Sequence, residues 1–195
     1  MSGNPRIYLA SQSPRRRELL HQIGVSHAVL KVAVDETRRS GEAPQAYVAR
    51  VALDKARAGR GLLGRAHTQP VLAADTSVVC AGEVLGKPAG RDAGLAMLAC
   101  LSGTTHEVLS AVAMAGAAGE AVRVSSSRVT FRTLTARECA AYWATGEPAD
   151  KAGAYAVQGL AAAFITRIEG SYSGVMGLPL YETAELLKEY GITVL

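Results

Sequence analysis

Asp75 and Thr76 interrupt an apolar stretch of the chain. Residues 70–88 read PVLAADTSVVCAGEVLGKP, with small and β-branched residues first and a Gly-rich turn around Lys87 last. A run of this kind, bounded by Pro and Gly, is typical of a buried central strand. A carboxylate there is costly unless it is hydrogen-bonded, paired or bound to a cation. Capping a turn is the ordinary role of an isolated Asp, but the nearby lysine turn favours Asp75 as the functional centre.

A basic cluster follows the first short apolar run of the chain. The sequence SQSPRRRELL places Ser13 and Pro14 where a helix would begin, and Arg15, Arg16 and Arg17 in its first turn. Cations at that end are repelled by the helix dipole, whereas a bound phosphate would be attracted both by the dipole and by the arginines. We therefore expect Arg15 and Arg16 to contact a phosphate or a base, and Arg17 to be solvated.

Further lysines and carboxylates lie near predicted element ends, where clefts form in α/β sheets. Lys55 lies beside the apolar stripe of a predicted helix, so it either extends past the core to water or points into a cleft. Glu36 and Asp75 offer the oxygen ligands that Mg²⁺ and Mn²⁺ prefer. No GxxxxGK[ST] loop is present, which excludes a P-loop. Cations beside a carboxylate-held metal are suited to cleaving a phosphoanhydride.

Apolar periodicity predicts an α/β protein with a mixed sheet. The long strands at 106–115 and 121–134 flank a Gly-rich turn, which predicts an antiparallel hairpin. Residues 146–159 form a long Gly-punctuated loop, and loops of this kind often carry function. The other predicted strands cover residues 7–10, 27–34, 70–80 and 161–168. One predicted helix begins at Pro14, and the others cover residues 44–63, 91–101, 135–145 and 181–190.

Composition indicates an ordinary globular protein. The 195 residues are 49% hydrophobic and 19% charged, which argues against disorder. The formal charge of +4 permits an anionic ligand, but the basic residues form no stripe of the kind that binds nucleic acid. The cysteines lack metal-site spacing and are expected to be free, buried thiols. No signal-peptide or membrane-spanning pattern is evident, so we expect a cytoplasmic protein.

Several motifs together resemble the Maf family of nucleoside triphosphate pyrophosphatases. The resemblance covers nearly the whole chain, and its strength lies in the number and order of the motifs. They are LASQSPRRRELL, VDE at 34–36, LDKA at 53–56, AADT at 73–76, GKP at 86–88, LSGTTHEV at 101–108, DKAGAYAVQG at 150–159 and GSYSGVMGLPL at 170–180.

This resemblance implies a single domain over residues 1–195. Its fold would be a mixed, twisted central sheet flanked by helices, with two lobes around a deep cleft, related to inosine triphosphate pyrophosphatases. It also implies a homodimer and a divalent metal, Mg²⁺ or Mn²⁺. No stable nucleic-acid or membrane partner is expected, because the basic residues are spread through the chain and no apolar stretch is long enough for a membrane span.

The resemblance also assigns roles to individual residues. Asp75 matches the general base that activates water for attack on the α-phosphorus, and direct metal ligation by Asp75 is equally compatible with the sequence. Glu36 matches a carboxylate that helps to place the metal. The positions that match triphosphate-binding residues are Ser13, Arg16, Lys55 and Lys87.

Three positions resemble the dTTP/UTP branch of the family. Arg15, Thr76 and Gln158 stand where the branch resembling 7-methyl-GTP pyrophosphatases has an aromatic residue, Gln and Glu. A carboxamide can both donate to and accept from the edge of uracil or thymine, whereas a carboxylate only accepts. Gln158 as a backbone-bonding loop residue is the structural alternative. The functional alternatives are a pyrophosphatase for 7-methyl-GTP or other modified nucleotides, and a catalytically silent nucleotide- or nucleic-acid-binding regulator.

Overall fold

A seven-stranded mixed sheet forms the centre of the computed structural model, which describes residues 6–64 and 67–194. Its strands are β1 (Ile7–Leu9), β2 (His27–Val29), β3 (Val71–Cys80), β4 (Glu83–Leu85), β5 (Thr105–Gly116), β6 (Gly119–Phe131) and β7 (Ile165–Glu169). The order is β2-β1-β3-β5-β6-β7, and β4 pairs with β3. The pairs β1–β2 and β1–β3 are parallel and the others antiparallel, which confirms the predicted mixed α/β fold.

Helices cover both faces of the sheet. They are α1 (Pro14–Gln22), α2 (Pro44–Leu62), α3 (Arg91–Leu101), α4 (Ala136–Ala144), α5 (Tyr172–Met176) and α6 (Leu180–Glu189). Helix α2 packs on β3 and β5 through small side chains such as Ala52 and Ala56, which permit a close approach. Helices α1 and α6 share a second core cluster with β1, and α3 and α4 share a third with β6. Within the described residues, no helix is both long and apolar enough to cross a membrane.

Strand β3 contributes to all three core clusters. Successive side chains of a strand point to opposite faces. Val71 and Ala73 accordingly pack against α2, whereas Leu72 and Ala74 pack in the cluster of α1 and α6. Asp75 continues the first series, so it lies on the face of the sheet that α2 covers.

One edge of β3 is only partly paired. Its other edge pairs with β5 from Val71 to Val79. On the first edge, β1 pairs with Val71 and Leu72, and β4 pairs from Val78 to Cys80. Residues 73–77 therefore face a break between β1 and β4, within the described part of the sheet. The chemistry-bearing residues of β3 fall in this break.

Most predicted elements agree with the structure, and two predicted strands were too long. The strand predicted over 27–34 ends at Val29, because its pairing partner β1 is itself only three residues long. The strand predicted over 161–168 begins only at Ile165, because residues 160–164 form a 3₁₀ turn. Thr135, the first residue of the helix predicted over 135–145, caps α4 and forms a capping box with Glu138.

The strand β4 was missed at the sequence level. It forms a tight hairpin with β3 through Ala81 and Gly82, both with positive φ, at 51° and 84°. Such turns favour Asn, Asp or Gly at both positions, so alanine at the first one conceals the hairpin. The hairpin leads directly into the turn that carries Lys87.

The cysteine prediction needs one correction. All three thiols are free, and Cys80 and Cys139 are buried, but Cys100 is exposed. The buried positions of α3 are Gly94, Leu98 and Leu101, and the helical repeat turns Cys100 away from that face.

Candidate active site

The break beside β3 opens into a cleft with two connected chambers. We call the chamber next to β1 and α2, of about 910 Å³ with its open mouth, the polar chamber. The second, of about 600 Å³ on the same measure, is called the mixed chamber. The polar chamber is lined by residues 10–16, Val32, Glu36, Lys55, Lys87 and Asp150. The mixed chamber adds Thr76, Val78, Val108, residues 151–152, residues 155–158 and residues 175–177. The two share Ser13, Arg15, Arg16, Lys87 and Asp150, so they form one continuous cleft.

A lysine with two carboxylate partners lies at the polar chamber. Lys55 Nζ lies 2.8 Å from Asp75 Oδ1 and 2.9 Å from Glu36 Oε1. The side chains of Lys55 and Asp75 are 13% and 10% exposed, whereas that of Glu36 is 54% exposed. The ammonium therefore points into the cleft rather than past the core. Two oxygens from separate segments converge on one cationic position.

Three different elements place this cluster. Asp75 is paired in register with Ala111 of β5, whose small side chain leaves room for the carboxylate. Lys55 lies on α2, beside the residues that pack against β3. Glu36 lies in the loop before α2, where the Tyr47 hydroxyl donates to its carbonyl oxygen at 2.8 Å. The site thus depends on how α2 is seated against the sheet.

Arg16 connects α1 to both β3 and the α5 turn. Its Nε donates to the Gly177 carbonyl at 2.8 Å, and its terminal nitrogens donate to Ser11 Oγ at 3.2 Å and Thr76 Oγ1 at 3.3 Å. Burial lowers the pKa of Arg16, and the nearby Asp75 carboxylate opposes that shift. The guanidinium is therefore held in place while part of it still borders both chambers.

Thr76 belongs to a chain of hydroxyl hydrogen bonds. Its Oγ1 lies 2.9 Å from the Oγ of Ser110, the residue opposite it on β5. Ser110 Oγ in turn donates to the Gly174 carbonyl of α5 at 2.6 Å. These bonds fix the floor of the mixed chamber. Thr76 and Asp75 are adjacent in sequence, so their side chains lie on opposite faces of the sheet.

The remaining predicted phosphate contacts lie where the two chambers meet. Ser13 occupies the N-cap position of α1, but its side chain makes no capping hydrogen bond, contrary to a capping role. Arg15 is half-buried and Lys87 is exposed, and both border the two chambers. Arg17 is exposed and outside both linings, as expected for a solvated side chain.

Gln158 and Tyr155 border the mixed chamber from the 146–159 loop. Gln158 is exposed, and its carboxamide has no hydrogen-bond partner among the described residues, so it is not engaged with backbone. The Tyr155 hydroxyl instead shares a buried hydrogen bond of 2.9 Å with His106 Nε2. Burial raises the pKa of Tyr155 and lowers that of His106 to about 4. Both groups are therefore neutral near pH 7.

The cleft gathers the residues singled out in the sequence and adds others. Eight of these residues line it, and Asp75 joins them through Lys55: Ser13, Arg15, Arg16, Glu36, Lys55, Thr76, Lys87 and Gln158. Asp150 and Lys151, an ion pair in the DKAGAYAVQG motif, were not among the predicted site residues. Their charges and motif could have revealed them. Ser110 was also missed, because only strand register brings it to Thr76.

The arrangement of charges suits an extended anion with an uncharged end. Basic side chains border the polar chamber and its junction, and carboxylates lie at one side of them. Apolar side chains of the mixed chamber, with Gln158 and Thr76, offer a surface for a flat polar ring. Asp75 and Glu36 are close enough to act on a water or a cation beside the anion.

Comparisons with known proteins give a consistent result. The profile of a family described as Maf-like protein matches residues 6–190. A protein of Alkalilimnicola ehrlichii named dTTP/UTP pyrophosphatase is 57% identical over 191 residues, 96% of this chain and 94% of that protein. Proteins of the same name from Saccharophagus degradans and Bordetella avium are 52% and 53% identical. They cover 96% and 100% of this chain, and the matches span 90% and 100% of those proteins.

Among solved structures, the chain is similar to the Ham1 protein of Staphylococcus aureus. The TM-score is 0.45 and the identity 18%, over 64% of this chain and 71% of that one.

Proposed function

The chain belongs to the Maf-like protein family, and from this membership we propose that it hydrolyses dTTP and UTP to the nucleoside monophosphate and pyrophosphate. The observation that carries the proposal is the continuous cleft. It joins a carboxylate–lysine cluster to a chamber bordered by a carboxamide. A triphosphate in the polar chamber with its base in the mixed chamber would meet the basic residues at the junction.

Asp75 is the proposed general base. Its Oδ1 accepts from Lys55, and Oδ2 has no hydrogen-bond partner among the described residues, so Oδ2 is available to a water. That oxygen takes the proton of a water whose own oxygen attacks the α-phosphorus. The bond from the α-phosphorus to the bridging oxygen breaks, and pyrophosphate leaves with that oxygen. Lys55 donates to Oδ1 at 2.8 Å and so holds the carboxylate in one orientation.

Glu36 and Asp75 are the proposed ligands of a divalent metal, Mg²⁺ or Mn²⁺. Both carboxylates already converge on one cation, the ammonium of Lys55. The described residues contain no group of three or more His, Cys, Asp or Glu that could hold a metal. Two carboxylates nevertheless fit Mg²⁺, which usually completes its shell with water and substrate phosphates. When bound, the metal supplies neutralisation of negative charge on the phosphates.

Ser13, Arg16, Lys55 and Lys87 are the proposed triphosphate contacts. Lys87 and Ser13 are the most available, because neither side chain has a hydrogen-bond partner among the described residues. Arg16 has N–H groups left after its three hydrogen bonds, and it is fixed in place before substrate arrives. Held donors of this kind stabilise developing charge without reorganisation.

Base preference is assigned to Arg15, Thr76 and Gln158. The Gln158 carboxamide can donate to a carbonyl of uracil or thymine and accept from the ring N–H. Thr76 closes the floor of the mixed chamber, and Arg15 borders both chambers beside the phosphate contacts. A base with other edge groups would leave a polar atom of this site unpaired, which is costly.

The test measures pyrophosphate release from UTP, dTTP, CTP, GTP and 7-methyl-GTP with Mg²⁺ or Mn²⁺. We expect release from UTP and dTTP, reduced roughly 10²–10⁴-fold in Asp75→Asn, the range for a lost general base. Asp92→Asn is the matched control, because the Asp92 side chain is 99% exposed on α3 and lines neither chamber. Release confined to 7-methyl-GTP would contradict the base assignment. No release from any nucleotide would favour a silent regulator.

We also propose an oligomeric state and a cellular location for the enzyme. We expect a homodimer in the cytoplasm with no stable nucleic-acid or membrane partner. Light scattering on the purified chain tests the dimer, since a mass near 20.3 kDa would contradict it and twice that mass would support it.

A further inference from the structure

The segment that carries Gln158 is held from both sides by two residues outside the cleft lining. The Ala156 backbone N–H donates to the Tyr142 hydroxyl at 3.2 Å, on the N-terminal side of Gln158. On the C-terminal side, the Leu160 backbone N–H donates to Glu147 Oε2 at 3.0 Å. Tyr142 Oη donates to Glu147 Oε1 at 2.7 Å and so joins the two holds. We call these two side chains the loop clamp.

The hydrogen bonds that Glu147 accepts in the loop clamp are strengthened because this carboxylate is ionised. Burial opposes ionisation of the Glu147 carboxyl, but hydrogen bonds from Tyr142 and from the Leu160 and Ala161 amides outweigh it and lower its pKa. In contrast, burial raises the pKa of Tyr142, so its hydroxyl stays neutral and donates a hydrogen bond. Hydrogen bonds to an ionised acceptor are roughly twice as strong as neutral ones.

The carboxylate of the clamp lies directly against the backbone beside Gln158. A Cβ at Gly159 would lie 2.3 Å from Glu147 Oε2 and 2.4 Å from Oε1. No residue other than glycine fits there without displacing the Glu147 carboxylate. The close approach fixes the chain immediately after Gln158, whose own carboxamide has no partner among the described residues to orient it.

We propose that Tyr142 and Glu147 are positioning residues for base selection. They fix the backbone on both sides of Gln158, so its side chain extends from one fixed point beside the mixed chamber before the nucleotide binds. The inference rests on the proposed function and extends it to two residues that do not line the cleft. Fixing a binding group in advance lowers the ordering cost on binding, and that saving applies to the base that pairs with Gln158.

The test compares kcat/KM for UTP and dTTP with that for CTP and GTP in Tyr142→Phe, Glu147→Gln and Gln158→Ala. In the first two variants we expect the preference for UTP and dTTP to fall roughly tenfold, about the value of one charge-assisted hydrogen bond. The loss should appear mainly in KM for UTP and dTTP. In the double variants with Gln158→Ala, the clamp substitutions should cause no further loss, because all three act through one contact.

Glu138→Gln is the matched control. Glu138 belongs to the capping box of α4, the helix that carries Tyr142, and among the described residues it makes no hydrogen bond or ion pair with residues 156–161. It should lower stability without changing base preference. If Tyr142→Phe or Glu147→Gln does not fold, Gly159→Ala displaces the same contact from the loop side and should also reduce the preference.

Two outcomes separate this inference from the proposed function. An unchanged preference in folded clamp variants, with a clear preference in the wild-type enzyme, would overturn the clamp alone. Further loss in the double variants equal to that in the single ones would also overturn it, because the clamp would then act independently of Gln158. A wild-type enzyme without preference for UTP and dTTP would overturn the proposed base assignment, and the clamp with it.

Discussion

Lys55 holds together two carboxylates with very different surroundings. Asp75 is buried in the sheet and Glu36 is largely exposed, yet both contact the same ammonium within 2.9 Å. Removing one partner of a buried ion pair leaves an uncompensated charge, which typically costs about 3 kcal/mol or more. The lysine therefore affects stability as well as the proposed chemistry.

Substituting Lys55 with Met should reveal both effects. We expect the free energy of unfolding to fall by about 3 kcal/mol, because the Asp75 carboxylate loses its partner. Mg²⁺ alone should raise the Tm of Lys55→Met more than that of the wild type, since the two carboxylates are then free to bind it. Thermal melts with and without Mg²⁺ measure this, with the exposed Lys188→Met as control. Equal Mg²⁺ shifts in the wild type and Lys55→Met would contradict competition between Lys55 and the metal, and no shift in either would contradict a metal site at these carboxylates.

Gln158→Glu tests base recognition with a change of a single group. The carboxylate loses the N–H that would donate to a carbonyl of uracil or thymine, so kcat/KM for UTP and dTTP should fall by roughly tenfold or more. Steady-state kinetics on both nucleotides measures the change. Unchanged rates on UTP and dTTP would remove Gln158 from the recognition of the base.

Single residues differ in how readily the sequence reveals them. Asp75 and Lys55 stand out because a charge within an apolar pattern needs an explanation. Ser110 looks like any strand serine until the register places it opposite Thr76. Glu147 follows α4 without a motif, and only the folded loop shows which amides it binds. Roles that depend on tertiary contact could not be predicted from spacing alone.

At the scale of elements, long periodic segments were predicted well and short ones poorly. Helices α2 and α3 and the β5–β6 hairpin match their predicted ranges within a few residues. The short strands β2 and β4 depend on a partner strand and on a turn with positive φ, and neither is visible in hydrophobic periodicity. The Maf-like family and its fold class were confirmed by the comparisons and the sheet.

Two helix glycines should respond to alanine in opposite ways. A Cβ at Gly94 of α3 would lie 2.1 Å from the Trp143 ring of α4, so Gly94→Ala should destabilise by about 1–3 kcal/mol. A Cβ at Gly61 of α2 would meet nothing within 4 Å, so Gly61→Ala should stabilise by about 0.5 kcal/mol. Urea unfolding measures both. An unchanged free energy of unfolding in Gly94→Ala would contradict close packing of α3 against Trp143 of α4.

At the scale of the whole molecule, β3 links the three core clusters. Leu72 packs with α1 and α6, Ala73 with α2, and Val78 with α3. Residues 1–195 are therefore proposed to unfold as a single domain. Calorimetry should show one transition whose measured enthalpy equals the van't Hoff value. Two separable transitions would contradict the single-domain prediction.

Stability should fall between pH 6.5 and pH 4 because of His106. Burial lowers its pKa from 6.5 to about 4, so the unfolded chain takes up the proton first as the pH falls. Stability is complete above pH 6.5 and declines by up to about 3 kcal/mol toward pH 4. His106→Gln should flatten the slope in urea unfolding at pH 5–6.5. The carboxyl groups of Glu42 and Glu138 affect stability only at lower pH, because hydrogen bonds from their arginine partners lower both pKa values to about 2. An equal slope in His106→Gln would contradict this cause.

The residues that line only the polar chamber all precede residue 56, whereas most of those that line only the mixed chamber lie in the last quarter of the chain. Glu36, Lys55 and Asp75 come from the first half of the sequence, whereas residues 155–158 and 175–177 come from the last quarter. Substitutions in the later stretch can therefore alter which base is accepted while the reacting groups are retained. A chimaera that takes residues 146–159 from a relative of different preference would be expected to shift toward that preference, and to inherit it in full only with the relative's residues at positions 15 and 76. The architecture lets new specificities arise without rebuilding the chemistry.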